Sequence, residues 1–182
     1  TRSRRDSEDR NGHMRIIVSD SSCLIDLRKA SLLEAFLRLP YEILIPDTLY
    51  EEELLKFSSK EKKMLLQEGL KVTELPGEEV LHAQSIAARF PALSIHDCFA
   101  FTLAERNPGS LLLTGDAELR IIAQQHDIEV HGVLWIIDEI HRTSTATAQQ
   151  LLKALQLFEE DSTIRLPTRE LRAFIRRYKS LV

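Results

Sequence analysis

Short runs of Ile, Leu and Val alternate along this chain with longer segments of helical character. Aliphatic runs that lack a polar residue at every second position are typical of strands buried on both faces of a parallel sheet. Their alternation with helices predicts an α/β fold, in which a parallel sheet of about five strands is flanked by helices. The predicted strands span residues 15–19, 42–45, 70–73, 111–114 and 128–131.

Helices are predicted between these strands and after the last one. Ser94, followed three residues later by Asp97, indicates a helix N-cap with an acidic residue in the first turn. Asn107-Pro108-Gly109 indicates a turn that ends the same helix. The predicted helices span residues 22–38, 47–57, 59–68, 78–89, 95–105 and 117–126, one segment after residue 131, and then residues 146–159 and 168–180.

The last predicted helix has two distinct faces. Because its apolar residues recur at helical spacing, we expect that face to pack either on the body of the protein or at a dimer interface. These apolar residues are Leu171, Phe174, Ile175 and Tyr178. Three arginines at spacings of three and four residues occupy a different face, which either contacts RNA or is simply solvated. They are Arg169, Arg172 and Arg176.

The two parts of the chain differ in charge. Residues 14–142 carry 13 Lys and Arg against 21 Asp and Glu, a formal charge of −8, whereas residues 143–182 carry 7 against 4, a formal charge of +3. An acidic body argues against binding nucleic acid through bulk charge, so any grip on phosphate must be local. The Ser- and Thr-rich residues 143–147 are the best candidate for a linker, and residues 143–182 are therefore predicted to form a C-terminal helical appendage.

The first thirteen residues contain no apolar stretch, and Met14 directly precedes the first predicted strand. We expect residues 1–13 to be a flexible or vector-derived extension. No apolar run approaches the roughly 20 residues that span a bilayer, and no signal-peptide pattern is present. Cys23 and Cys98 both lie in apolar helical contexts, as reduced thiols of a cytoplasmic protein do. The sequence therefore predicts a cytoplasmic protein without a membrane partner.

Four acidic residues fall where a strand or loop passes into a predicted helix: Asp20, Glu52, Asp97 and Asp116. Because the carboxyl ends of parallel strands meet at one edge of a sheet, carboxylates placed just beyond them point into one crevice. Several anions in one crevice repel one another unless a hard, oxygen-seeking cation such as Mg²⁺ or Mn²⁺ lies among them.

The segments around these acids resemble, in this order, those of the PIN-domain ribonucleases, and most of all the VapC-type toxins of bacterial toxin–antitoxin pairs. The resemblance spans Met14 to His141 and rests on D-S-S-C-L-I-D-L, I-P-D-T-L-Y-E-E-E-L, L-S-I-H-D-C-F-A-F-T-L-A and L-L-L-T-G-D-A-E-L. It implies a PIN-like, flavodoxin-like sandwich over residues 14–142. It also implies Mg²⁺- or Mn²⁺-dependent hydrolysis of RNA phosphodiester bonds.

The resemblance also implies roles for particular residues. Asp20, Glu52, Asp97 and Asp116 would bind the metal and act in catalysis, while Ser22 and Thr114 would support them. Glu52 is selected from three consecutive glutamates because the family's glutamate lies three residues after an aliphatic residue, here Leu49, and six after a proline, here Pro46. The expected partners are an RNA substrate, a cognate antitoxin protein and a second copy of the chain in a homodimer.

Simpler interpretations exist for each acid. Asp20 and Asp97 suit helix N-termini, Asp116 suits a turn, and Glu52 suits a solvated first turn. A zinc site is disfavoured because paired His or Cys ligands at short spacing are missing. Two other functions stay open: an inactive PIN-fold binding protein, and a metal-dependent phosphatase or phosphotransferase. The second is disfavoured because D-S-S-C replaces the D-x-D-x-[TV] of such enzymes.

Overall fold

A computed structural model describes residues 14–182; the predicted extension, residues 1–13, lies outside the described residues. The described chain contains one five-stranded, wholly parallel sheet in the order β3-β2-β1-β4-β5. Its strands are β1 (Ile16–Ser19), β2 (Glu42–Pro46), β3 (Lys71–Thr73), β4 (Leu111–Leu113) and β5 (Glu129–His131). The predicted fold class is confirmed, with each strand within about a residue of its predicted bounds.

The order of the strands creates a reversal between β1 and β4. From β1 the chain moves to β2 and β3 on one side, then returns to add β4 and β5 on the other. The central pairing aligns Ile17 with Ile43 of β2 and Leu111 of β4, and none of these three side chains is more than 2% exposed. A crevice opens at such a reversal, outside the carboxyl ends of the two diverging strands.

Ten helices flank the sheet in residues 14–182: α1 (Ser21–Lys29), α2 (Leu33–Leu37), α3 (Asp47–Glu52), α4 (Ser59–Gln67), α5 (Gly77–Arg89), α6 (Ile95–Arg106), α7 (Ala117–Gln125), α8 (Val133–Thr143), α9 (Ala148–Glu160) and α10 (Thr168–Lys179). Helix α6 packs on β1, β2 and β4 together with α5 and α7, while α1, α2 and α8 pack against one another. Right-handed crossovers place these two groups on opposite faces of the sheet.

The single helix predicted over residues 22–38 is wrong, because the structure has two helices there. Helix α1 ends in a turn in which the N–H of Leu32 donates to the carbonyl of Leu27 and that of Ser31 to the carbonyl of Arg28. This is a Schellman motif, which needs a left-handed residue, and Ser31 supplies it at φ 57°. Glycine normally occupies this left-handed position, so the serine there did not indicate the end of the helix in the sequence.

The helix predicted over residues 47–57 is also too long, because α3 ends at Glu52. Residues 53–57 turn so that Leu54 and Phe57 enter the core. Ser58 then caps α4 through a reciprocal capping box with Glu61, which requires an extended backbone at Ser58 and so a break in the helix.

Helices α9 and α10 pack against each other, and α9 packs on α8. The expectation that the last helix packs through its apolar face is confirmed, since Leu171, Ile175 and Tyr178 are buried and Phe174 is partly buried. The hydroxyl of Tyr178 donates to Asp138 of α8 at 3.0 Å. No helix within residues 14–182 is long and apolar enough to cross a membrane.

Candidate active site

A crevice of about 300 Å³ lies at the reversal point, outside the carboxyl ends of β1 and β4. Carboxylates from four separate parts of the chain line its walls. Its lining residues are Asp20, Ser21, Ser22, Asp26, Leu49, Glu53, Asp97, Gly115, Asp116, Thr163 and Arg165. Three of the four acids selected from the sequence therefore come together, and the fourth, Glu52, does not line the crevice.

Asp20 is the most deeply placed of these acids, with only 5% of its surface exposed. Its backbone N–H continues the sheet by donating to Leu113, and its carboxylate caps α1 by accepting from the N–H of Cys23 at 2.9 Å. The Ser22 hydroxyl donates to the same carboxylate at 2.9 Å. Burial raises the pKa of Asp20, and these hydrogen bonds oppose the rise because they stabilise the ionised form.

Thr114 joins the ends of β1 and β4. Its fully buried hydroxyl donates to Asp20 Oδ2 at 2.6 Å and accepts from the N–H of Asp116 at 3.1 Å. Asp116 in turn caps α7 by accepting from Leu119 at 2.8 Å through Oδ1. Both residues expected to support the acids, Ser22 and Thr114, thus hydrogen-bond to Asp20.

Asp97 lies in the first turn of α6, where its Oδ2 accepts from the N–H of Ser94 at 2.9 Å. The Ser94 hydroxyl completes the capping box by accepting from the N–H of Asp97 at 3.0 Å. Helix capping would by itself explain an acid at Asp20, Asp97 and Asp116. It does not explain why three capped helices direct their acids into one crevice.

The third glutamate of the E-E-E run, Glu53, lines the crevice. It lies four residues after Leu49, which also lines the crevice, and residues at that spacing share one side of a helix. The buried Ser21 hydroxyl donates to Glu53 at 2.6 Å. Glu52 points to the rim instead, 61% exposed and 2.7 Å from His96 Nε2. The sequence pattern missed Glu53 because it counted three residues from Leu49.

One cation reaches the crevice from the C-terminal part of the chain. The loop of residues 161–167, between α9 and α10, carries Thr163 and Arg165 to the crevice wall. Lys29 of α1 holds this loop by donating to Thr163 at 2.6 Å, and Ile164 is buried beneath it. Arg165 is exposed and, among the described residues, has no carboxylate or hydrogen-bonding partner. Sequence reasoning missed it, since nothing local links this loop to the acids.

Asp26 also lines the crevice. Burial raises the pKa of Asp26 to about 6, nearby Lys29 opposes the rise, and Asp20 and Asp161 add to it. The crevice therefore contains two carboxyl groups, Asp20 and Asp26, whose ionisation burial disfavours.

Neither cysteine is suited to act as a nucleophile. Both are free thiols in the core. Burial raises the pKa of Cys98 to about 11 and also raises the pKa of Cys23 well above its ordinary value. Since the thiolate is the nucleophilic form, both thiols stay unreactive near neutral pH.

The donor chemistry of the crevice fits a hard divalent cation. Its acidic side chains supply the oxygen ligands that such a cation prefers. One oxygen of Asp97 and one of Asp116 accept no hydrogen bond from the described residues. The carboxylates line the walls rather than forming a tight group: within residues 14–182 no three or more His, Cys, Asp or Glu side chains are already close enough to hold a metal. A cation there would have to draw these side chains together.

The model of a family described as DUF3368, a PIN domain, matches residues 16–180, from the first strand to the end of the last helix. No curated protein matches the chain.

Proposed function

Because the chain belongs to the PIN-domain family, whose members are generally nucleases, we propose that it is a metal-dependent endoribonuclease that hydrolyses RNA phosphodiester bonds. The observation that carries the proposal is the convergence of Asp20, Asp97 and Asp116 in one crevice at the reversal point of the sheet. Three helix N-termini meet there, and an RNA phosphate is attracted to such N-termini once the acids are neutralised.

Asp20, Asp97 and Asp116 are the proposed ligands of Mg²⁺ or Mn²⁺. When bound, the cation polarises the phosphoryl group and lowers the pKa of water beside it. Thr114 and Ser22 are positioning residues that fix the Asp20 carboxylate through hydrogen bonds of 2.6 and 2.9 Å. Held in this way, Asp20 stays aimed at the crevice although its burial favours protonation.

We assign the fourth acidic position to Glu53 rather than Glu52. Glu53 lines the crevice and accepts from Ser21 of α1, whereas Glu52 does not line it and lies 2.7 Å from His96, which approaches Glu53 only to 3.9 Å. Glu53→Gln should lower RNA cleavage at least tenfold, and Glu52→Gln less than threefold. The two variants are matched in charge and chain position, so the reverse result would restore Glu52 to the site.

The main test is cleavage of a single-stranded RNA by the full chain with Mg²⁺ or Mn²⁺. EDTA should abolish cleavage, and Asp20→Asn should lower the rate on the order of a thousandfold, since loss of such a group costs several kcal/mol of transition-state stabilisation. Asp127→Asn, at the other end of the sheet, is the control and should keep the wild-type rate. Undiminished cleavage by Asp20→Asn would contradict the proposal.

The other functions left open by the sequence give different results in the same assay. An inactive PIN-fold binding protein would retain RNA on a filter without cutting it at any metal concentration. A phosphatase would release phosphate from a small phosphomonoester and leave internal RNA bonds intact.

A toxin role in a cytoplasmic toxin–antitoxin pair is the finer part of the proposal. It is supported by the resemblance of the four acidic segments to the VapC-type toxins. Induced expression in a bacterium should arrest growth, and Asp20→Asn should relieve the arrest at equal protein level. The expected partners are a cognate antitoxin and a second copy of the chain in a homodimer. Equal arrest by both proteins would contradict a toxin that acts by hydrolysis.

A further inference from the structure

A second pocket, of about 560 Å³, adjoins the acidic crevice. We call it the Trp135 pocket and define it by Arg120, His131, Trp135, Arg165, Leu166 and Phe174. It shares Asp26, Gly115 and Arg165 with the crevice, so the two cavities are adjacent. Its volume lies in the range of pockets that hold small organic groups.

The lining of the Trp135 pocket is mainly aromatic and aliphatic. Trp135 is partly buried, with His131 stacked on it at 4.4 Å between ring centroids. Burial lowers the pKa of His131, so its ring is neutral near pH 7 and adds to the apolar surface. Leu166 and Phe174, brought by the 161–167 loop and α10, complete the wall. Flat groups with an apolar face, such as nucleobases, bind well to surfaces of this kind.

Two cations at the pocket have no acidic partner. Neither Arg120 nor Arg165 is paired with a carboxylate among the described residues, and Arg120 Nη2 lies 3.2 Å from the position a Cβ would take on Gly132. Of the acids that line the pocket, Asp138 accepts hydrogen bonds from Tyr178 and Arg177, whereas the side chains of Asp26 and Glu170 accept none from the described residues. Unpaired guanidinium groups beside an apolar wall suit a strand that alternates phosphates with bases.

We propose that the Trp135 pocket binds a base of the RNA strand whose phosphate lies in the crevice, and that Arg165 contacts the phosphate between the two sites. The inference rests on the proposed ribonuclease function and deepens it. It also explains how an acidic protein holds RNA, because the contact is local and is made in part by Arg165, Leu166 and Phe174 of the positively charged C-terminal part of the chain.

The test uses Trp135 as its own reporter, since it is the only tryptophan in the chain. Single-stranded RNA of about ten nucleotides is mixed at increasing concentrations with full-length protein and Mg²⁺ in a stopped-flow instrument, and tryptophan emission is recorded during binding, before cleavage proceeds. An abasic ribose-phosphate strand of equal length is the matched ligand. The RNA should change the emission saturably and bind at least tenfold more tightly than the abasic strand. Equal binding and equal emission change with both strands would overturn the proposal.

Arginine variants test the junction. Arg165→Ala should weaken RNA binding about tenfold and reduce its dependence on salt by about one counterion, while Arg165→Lys should recover part of both. Arg89→Ala is the control, because Arg89 is an exposed arginine that lines neither cavity. Wild-type affinity in Arg165→Ala would overturn the role of this residue.

Parallel cleavage assays with Mn²⁺ separate the two proposals. If RNA is cut, but RNA does not change the tryptophan emission and Arg165→Ala has the wild-type KM, the proposed base-binding role of the pocket fails and the proposed ribonuclease function stands. If RNA changes the emission in a base-dependent way but is never cut, the pocket stands and the hydrolytic function fails.

Discussion

The two ends of the sheet have cavities of similar size that differ in how far their charged side chains are paired within the protein. At the amino end a crevice of about 320 Å³ contains Arg15, which pairs with Glu129 at 2.9 Å and also donates to the carbonyl of Gly109 at 3.0 Å. At the carboxyl end, carboxylates from four parts of the chain line a crevice of about 300 Å³ that only Arg165 among its lining residues could neutralise. Charge that the fold satisfies internally stabilises the fold, whereas charge left unsatisfied is available to a ligand.

The largest expected difference between the two ends is in catalysis. Asp97→Asn and Asp116→Asn should each lower RNA cleavage about a hundredfold or more, because each removes an anion while Asn keeps the capping hydrogen bond. Asp127→Asn, at the amino-end crevice, is the control, since Asn tolerates the left-handed conformation of Asp127 at φ 57°. Rates are measured with thermal melts alongside. Unchanged rates in both crevice variants would reduce these acids to helix caps.

A smaller difference is expected between the losses of stability that follow when a buried hydroxyl is removed at each end of the sheet. Thr114→Val should destabilise the fold by about 2 kcal/mol, because it removes a partner from the buried Asp20 carboxylate and from the N–H of Asp116. Ser110→Ala should cost about 1 kcal/mol or less, since the Ala104 carbonyl keeps its bond from Asn107. Urea unfolding of both variants measures the difference. Equal losses of unfolding free energy would mean that the buried hydroxyl at the carboxyl end stabilises the fold no more than the one at the amino end.

The sheet and most of the crevice were predictable from the sequence because their signals are local. Aliphatic runs specify buried strands, and an acid two or three residues after such a run specifies both a helix cap and a position at the sheet edge, as at Asp20 and Asp116. Glu53 was missed because the direction of its side chain depends on where α3 ends, and that end is set by the burial of Leu54 and Phe57. Arg165 reaches the crevice only through the packing of α9 and α10, which no local pattern encodes.

The pH dependence of stability should identify the carboxyl end as the strained one. The pKa of Asp26 is raised from 3.8 to about 6 in the folded protein, so its stabilising contribution is complete below about pH 4 and is lost as the pH rises through about 6. Asp26→Asn should remove this loss and be more stable than wild type at pH 7 by on the order of 1 kcal/mol, allowing for partial exposure. Unfolding in EDTA from pH 4 to 7 checks it, and parallel curves for the two proteins would contradict it.

The smallest effect is expected where charges are already paired. Glu129→Gln should lower stability by about 0.5 kcal/mol, because it breaks a partly exposed ion pair with Arg15. The loss should shrink further in 1 M salt, which screens such pairs. A loss above about 2 kcal/mol that persists in high salt would show that the amino-end pair is a buried structural element.

Binding of Mn²⁺, followed by electron paramagnetic resonance, tests the central difference between the two ends without any RNA. Wild type and Asp127→Asn should bind the ion with equal affinity, and Asp116→Asn should bind it at least tenfold more weakly. Wild-type affinity in Asp116→Asn, or loss of binding in Asp127→Asn, would contradict the assignment of the cation to the carboxyl-end crevice.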